Sequence, residues 1–197
     1  MLKLGAKELR TTASSEEEKK ELKKNPIYII CDNILDTYNV GSIFRLADAV
    51  AATKVFLTGV TETPPNTRIK KASINTTEWV DWEYFQTTEE AITAVRKQFS
   101  TSLEQYSLSE PEANREVQSR IQIVAIEQSS KSVPFDRAEY NFPICLIVSN
   151  ETSGATKEVL DMADMIVEMP MWGVNKSLNV MVSLGIVLYQ VIQNLPK

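Results

Sequence analysis

Two apolar runs, Ile27-Tyr28-Ile29-Ile30-Cys31 and Ile144-Cys145-Leu146-Ile147-Val148, carry no charged residue on either alternating face. Strands of that kind are covered on both sides, which is the situation of a parallel sheet and not of a half-solvated antiparallel one. Val55-Phe56-Leu57 and the β-rich run Ile121 to Ile126 extend the pattern, and Met165 to Met169 is a shorter run. Helical spacing separates them. Val40 to Ala51 puts Phe44, Ala47 and Ala51 on one face, Thr88 to Phe99 aligns Ile92, Val95 and Phe99, and a last helix is expected from Leu178 to Leu195. Strands alternating with helices predict an α/β fold, with a mostly parallel sheet and helices on both faces.

The length of 197 residues suits one domain with a sizeable core. Residues 1–25 read as a charged helical extension, in which Ser14-Ser15-Glu16-Glu17 resembles a helix start with a capping box. Either that extension is a solvated helix, or its lysines face a nucleic acid. Residues 26–197 form the main domain, and the polar stretch 100–119 reads as an inserted loop or loosely held helix. Met1 to Arg10 offers no apolar signal core. Leu178 to Ile192 is too short and too polar to span a bilayer. Together these predict a cytoplasmic protein.

The chain has no histidine and two cysteines, Cys31 and Cys145, each inside an apolar run. That removes Ser-His and Cys-His nucleophile systems and predicts no metal site, leaving two buried thiols. Chemistry must rest on Arg, Lys, carboxylates, hydroxyls, amides or a cofactor. The net charge of −5 neither advertises a nucleic-acid binder nor excludes one, because a local cluster of cations suffices.

Ligands of open α/β sheets bind beyond the carboxyl ends of the strands. Three junctions there gather glycine, amides and hydroxyls: Asp36 to Arg45, Ser149 to Gly154 and Pro170 to Asn179. Each read alone is a tight turn with helix caps; together they suggest a converging site. If Ser42 starts a helix, Arg45 stands in its first turn, where a cation is unfavourable unless it meets an anion such as a phosphate; otherwise it is a surface arginine paired with Asp48. Glu151 either caps backbone amides or orients Asn39. Ser177 can cap a helix beginning at Leu178, which leaves Asn179 needing a polar partner if buried.

These three segments resemble, in order, the signature motifs of the SpoU/TrmH-like methyltransferases of the SPOUT superfamily. Asn39 and Arg45 match the first motif, and Asn150, Glu151 and Gly154 the second. Pro170, Met171, Gly173 and Ser177-Leu178-Asn179-Val180 match the third. The resemblance covers about residues 26–195, with Ser149 standing where the family usually has Gly. It implies a deep trefoil knot in the C-terminal part, S-adenosylmethionine as cofactor and a homodimer. It further implies methyl transfer to a ribose 2′-hydroxyl of tRNA or rRNA. A binding protein of the same fold that holds RNA or cofactor without transferring a methyl group is the alternative.

On that resemblance Arg45, Asn39, Glu151, Ser177 and Asn179 form the catalytic centre. Arg45 acts there either as general base or, since guanidinium rarely loses its proton, as a phosphate clamp that polarises the hydroxyl. The cofactor is expected against Leu57, Thr58, Gly59, Ser149, Asn150, Gly154, Met169, Met171, Gly173, Ser177 and Leu178. RNA is expected on Arg45, Arg68, Lys70 and Lys71. The dimer is expected to use the last helix, through Leu188, Tyr189, Ile192 and Leu195, and the helix after Asn39.

Overall fold

The structure, a computed structural model, describes residues 3–12, 14–106 and 120–195. Seven strands form one sheet: β1 (Asn25–Asp32), β2 (Ala52–Thr58), β3 (Asp81–Phe85), β4 (Gln122–Ile126), β5 (Val133–Pro134), β6 (Ile144–Ser149) and β7 (Met165–Glu168). Their order is β3-β2-β1-β6-β4-β7-β5, and every pairing is parallel. The helices are α1 (Ala6–Leu9), α2 (Glu16–Glu21), α3 (Thr37–Ala49), α4 (Thr67–Ser73), α5 (Thr88–Tyr106), α6 (Lys157–Met162) and α7 (Val180–Ile192). A 3₁₀ turn at Thr76–Glu78 follows α4.

The central strands are apolar on both faces because two cores sandwich them. Ile27, Ile29, Val55, Leu57, Leu146 and Val148 pack with α3 and α7, whereas Tyr28, Ile30, Phe56, Cys145 and Ile147 pack with α5. Both cysteines are buried, and burial pushes their thiols well above the usual range. Among the described residues no helix is long and apolar enough to cross a membrane, and no cluster of ligating side chains could hold a metal ion.

Several boundaries differ from those read in the sequence. α3 starts at Thr37, capped by the Asp36 carboxylate, which accepts from Tyr38 N at 2.8 Å. Ser42 therefore lies inside the helix, and Arg45 falls in its third turn instead of its first. The supposed penalty of a cation at a helix start does not exist. Ala51 leaves the helical face altogether, at φ 49°. Gly41 serves a helix crossing: a Cβ there would stand 2.6 Å from both the Ala72 Cβ and the Ile69 carbonyl of α4.

α4, which carries Arg68, Lys70 and Lys71, is not among the helices expected from the sequence. α5 continues to Tyr106, so only 107–119 of the expected insertion remains, and it lies outside the described residues. α7 begins at Val180 and is capped by Asn179, not by Ser177. In the extension, Ser15 and Glu18 form a capping box, with hydrogen bonds of 3.1 and 2.9 Å.

Candidate active site

The parallel order turns the carboxyl ends of β1, β6, β4 and β7 to one rim, and a cavity of about 520 Å³ opens there. Ile126, Val148, Met169, Met171 and Leu178 give it apolar walls, while Ser149, Asn150, Gly154, Ser177 and Asn179 supply polar ones. Gly154, at φ 67°, closes the turn after β6, where the Asn150 carbonyl accepts from its N–H at 2.9 Å. The Asn150 side chain holds the same turn by accepting from Thr152 N and Ser153 N at 2.9 and 3.0 Å. It also donates to the Asn33 carbonyl at 2.9 Å, which ties the turn to the end of β1.

A chain of hydrogen bonds joins the three junctions. Asn179 Nδ2 donates to Asn39 Oδ1 at 3.0 Å, and Asn39 Nδ2 donates to Glu151 Oε1 at 3.0 Å. Glu151 also accepts from the N–H groups of Leu35 and Asp36 at 3.0 and 3.2 Å. Asn179 Oδ1 meanwhile accepts from Met181 N at 3.0 Å. Asn39 is buried, so its amide needs both partners, and it has them. The partner expected from a ligand at Asn179 is thus a protein side chain. Burial pushes the Glu151 carboxyl up, but the hydrogen bonds from Leu35, Asn39 and Asp36 outweigh it and hold the group below its ordinary 4.5.

Glu151→Gln is expected to detach the turn after β6 from the start of α3, because an amide cannot present two acceptor oxygens to three donors. Cofactor affinity measured by calorimetry should fall about tenfold, one charged hydrogen bond's worth; an unchanged affinity would show that the turn holds itself. In the wild type this contact is fully present above the ordinary carboxylate pKa. It is lost only as pH falls through the depressed one, so affinity should be flat across the neutral range.

Arg45 is exposed and makes no hydrogen bond or ion pair with the described residues, the expected pairing with Asp48 included. It stands on α3 six residues beyond Asn39, about 9 Å along the helix axis. Its guanidinium is therefore left open to solvent, away from the cavity wall.

Three expected cofactor residues are placed elsewhere. Leu57, Thr58 and Gly59 end β2, which lies on the far side of β1 from the cavity. Leu57 is core. Thr58 shares a buried hydrogen bond of 2.6 Å with Thr88, which donates to Asp32 at 2.6 Å. Gly173 is not part of the wall either, and a Cβ there would meet nothing within 4 Å. Sequence reasoning missed Glu127 and Gln128, which follow β4. Glu127 accepts from Ala155 N at 2.9 Å, and Gln128 Nε2 donates to the Lys176 carbonyl at 2.5 Å, so this pair holds both loops of the cavity. A polar pair directly after an apolar parallel strand was the available signal.

Residues 26–189 match the SpoU rRNA Methylase family. The chain belongs to that family. It is 28% identical over 174 residues to the tRNA (guanosine(18)-2′-O)-methyltransferase of Aquifex aeolicus, covering 86% of this chain and 70% of that protein. The AdoMet-bound rRNA methyltransferase from Sinorhizobium meliloti superposes with a TM-score of 0.70 at 23% identity, over 96% of this chain and 61% of that one. The A. aeolicus TrmH/SpoU tRNA modifying enzyme superposes with a TM-score of 0.69 at 26% identity, over 95% and 81%. SpoU-family chains thus reach beyond the region matched here, by about a third in the first two.

Proposed function

We propose that this protein transfers a methyl group from S-adenosylmethionine to a ribose 2′-hydroxyl of tRNA or rRNA. The observation that carries the reading is the Asn179–Asn39–Glu151 chain of hydrogen bonds, which ties the first family motif to the second and third, whose residues line the cavity. The names of the relatives support the same activity.

The cavity residues fit the cofactor. Among the charged residues of the wall, Glu127, Glu151 and Glu168 outnumber Lys176, a net negative lining suited to a sulfonium cation. The apolar side chains Ile126, Met171 and Leu178 suit an adenine, and the cavity is of ordinary ligand size. When bound, S-adenosylmethionine supplies an already activated methyl. What the protein must do is hold the acceptor hydroxyl in line and ease its proton loss. Arg45 clamps the neighbouring phosphate and polarises that hydroxyl as a permanently charged donor. Asn39, Glu151 and Asn179 fix the start of α3 against the two cavity loops, and Ser177 lines the cavity at the strap between β7 and α7. The trefoil knot is part of this reading. The Gln128–Lys176 contact supports it, since it lays the strap against the chain leaving β4.

Incubation of the protein with methyl-labelled S-adenosylmethionine and an unmodified tRNA or rRNA tests the activity. Nuclease digestion should then release a 2′-O-methylated nucleoside. Cofactor and RNA binding without transfer to either RNA class would favour the binding-protein alternative.

The proposal includes a homodimer. α3 and α7 pack together where Leu46 covers Gly185. Leu35 and Tyr38 at the start of α3, and Val182, Ile186 and Tyr189 on α7, are left exposed between 38% and 54%. That stripe differs from the one read in the sequence, because Leu188 is fully buried. An apolar face of this kind is suited to a second copy of the same chain. Light scattering should give a dimer at micromolar concentration, and Val182→Glu with Ile186→Glu should give a monomer. A monomeric wild type would remove this part of the proposal.

A further inference from the structure

The N-terminal arm does not project into solvent. Asn75, buried and left-handed at φ 70°, donates through Nδ2 to the carbonyls of Leu9 and Thr12 at 3.2 and 3.3 Å. Ser14 Oγ donates to the Glu78 carbonyl at 2.6 Å. These bonds lay the arm across the end of α4 and leave a cleft of about 400 Å³ lined by Arg10, Lys70, Lys71 and Asn75.

Three cations thus line one concave surface of a chain whose net charge is −5. None of the three makes an ion pair with the described residues, although acidic side chains outnumber basic ones by 26 to 21. The dipole of α4 accounts for Lys70 and Lys71 in its last turn. It does not account for Arg10, which belongs to an element 66 residues away at the Leu9–Asn75 contact. Gathering unpaired like charges in a concave wall is unfavourable unless an anion is shared among them. Arg45 sits one turn beyond Gly41, on the side of α3 that meets α4. The cleft and Arg45 are therefore carried by neighbouring helices.

We propose that the cleft between the arm and α4 binds the phosphodiester backbone of the RNA substrate, with Asn75 as the positioning residue that docks the arm and brings Arg10 to Lys70 and Lys71. This rests on the reading of the protein as an RNA-modifying enzyme. Backbone contacts of this kind orient the substrate and carry no sequence preference.

The test uses the full chain and an unmodified tRNA transcript, with binding followed by fluorescence anisotropy over a range of salt concentrations. Arg10→Gln combined with Lys71→Gln should weaken binding and reduce the slope of log affinity against log salt by about 2, one for each cation removed. An unrelated RNA of equal length should show the same loss. Both side chains are exposed, so the fold should persist, and calorimetry with S-adenosylmethionine alone should show unchanged affinity. Asn75→Gly keeps the left-handed backbone but removes the docking amide, and should reproduce the effect of Arg10→Gln. Adding Arg10→Gln to Asn75→Gly should then change nothing further.

An unchanged salt slope in the Arg10/Lys71 variant overturns the cleft as an RNA site. Full additivity of Asn75→Gly and Arg10→Gln overturns the docking role of Asn75. Absence of methyl transfer by a wild type that still shows the slope difference defeats the enzymatic reading and leaves the cleft standing. Ordinary methylation with no slope difference defeats the cleft alone.

Discussion

Arg45→Ala is expected to reduce methyl transfer about a thousandfold while barely changing the folded protein. The side chain is exposed and unpartnered, so its loss removes no packing and orphans no buried group, and stability should move by less than about 0.5 kcal/mol. It is not part of the cavity wall, so affinity for S-adenosylmethionine should stay as it is. The loss falls on the reacting hydroxyl, which no longer has a fixed cation beside it. Arg45→Lys keeps the charge but gives up the planar fork that grips a phosphate through two N–H groups. It should recover only a small part of the rate. Single-turnover rates for the three proteins decide it. An alanine variant within tenfold of wild type would remove Arg45 from the mechanism.

Phe44→Ala should have the opposite signature. Phe44 is among the largest fully buried side chains and sits in the core between the sheet, α3 and α7. Removing it is expected to cost about 3–5 kcal/mol, from lost transfer energy and an incompletely closed cavity. That is a large share of the roughly 5–15 kcal/mol that holds a domain of this kind together. The urea midpoint should fall accordingly, and any surviving activity should vanish at a lower temperature than in the wild type. Tyr189→Ala, on the exposed side of α7, serves as the control and should leave the monomer's stability near its original value. A midpoint unchanged in Phe44→Ala would show that α3 is not anchored through this ring.

The central strands were readable in the sequence because burial on both faces leaves an unbroken apolar run, as at Ile27–Cys31 and Ile144–Val148. Elements at the margin were not. β3, Asp81–Phe85, alternates charged and aromatic residues because it is an edge strand with a largely exposed surface. α4 buries only Ile69 and Ser73, and two buried positions in seven residues produce no periodicity worth reading. The starts of α3 and α7 were displaced for different reasons: past the Asp36 cap of α3, the polar residues Tyr38 and Asn39 look like loop, whereas in α7 the cap is Asn179 and not the Ser177 that precedes an apolar Leu178.

The site residues were legible as motifs, since Asn39, Glu151 and Asn179 stand at junctions where amides and carboxylates are otherwise unneeded. The Asn39–Glu151 contact was one of two alternatives in the sequence, and Glu151 satisfies both; that Asn179 joins the same chain was not legible, because it depends on how the sheet brings the junctions together. The position of Leu57–Gly59 away from the cavity was hidden on the same ground. Every parallel strand ends on the same rim, and which ends face the cavity is set by strand order, a long-range property.

The hydrogen bonds of Asn39 reach across 112 residues to Glu151 and 140 to Asn179. Asn39 is therefore synthesised long before either of its partners, which follow close together in the chain. Until residue 179 has been synthesised and α7 has docked, Asn39 has an unsatisfied acceptor and the strap that lines the cavity is missing. Nascent chains, and products truncated before that point, can hold neither the cofactor pocket nor its acceptor geometry. Activity should arise in a single late event, and a cell would accumulate either inert fragments or finished protein, with no partly competent species between them.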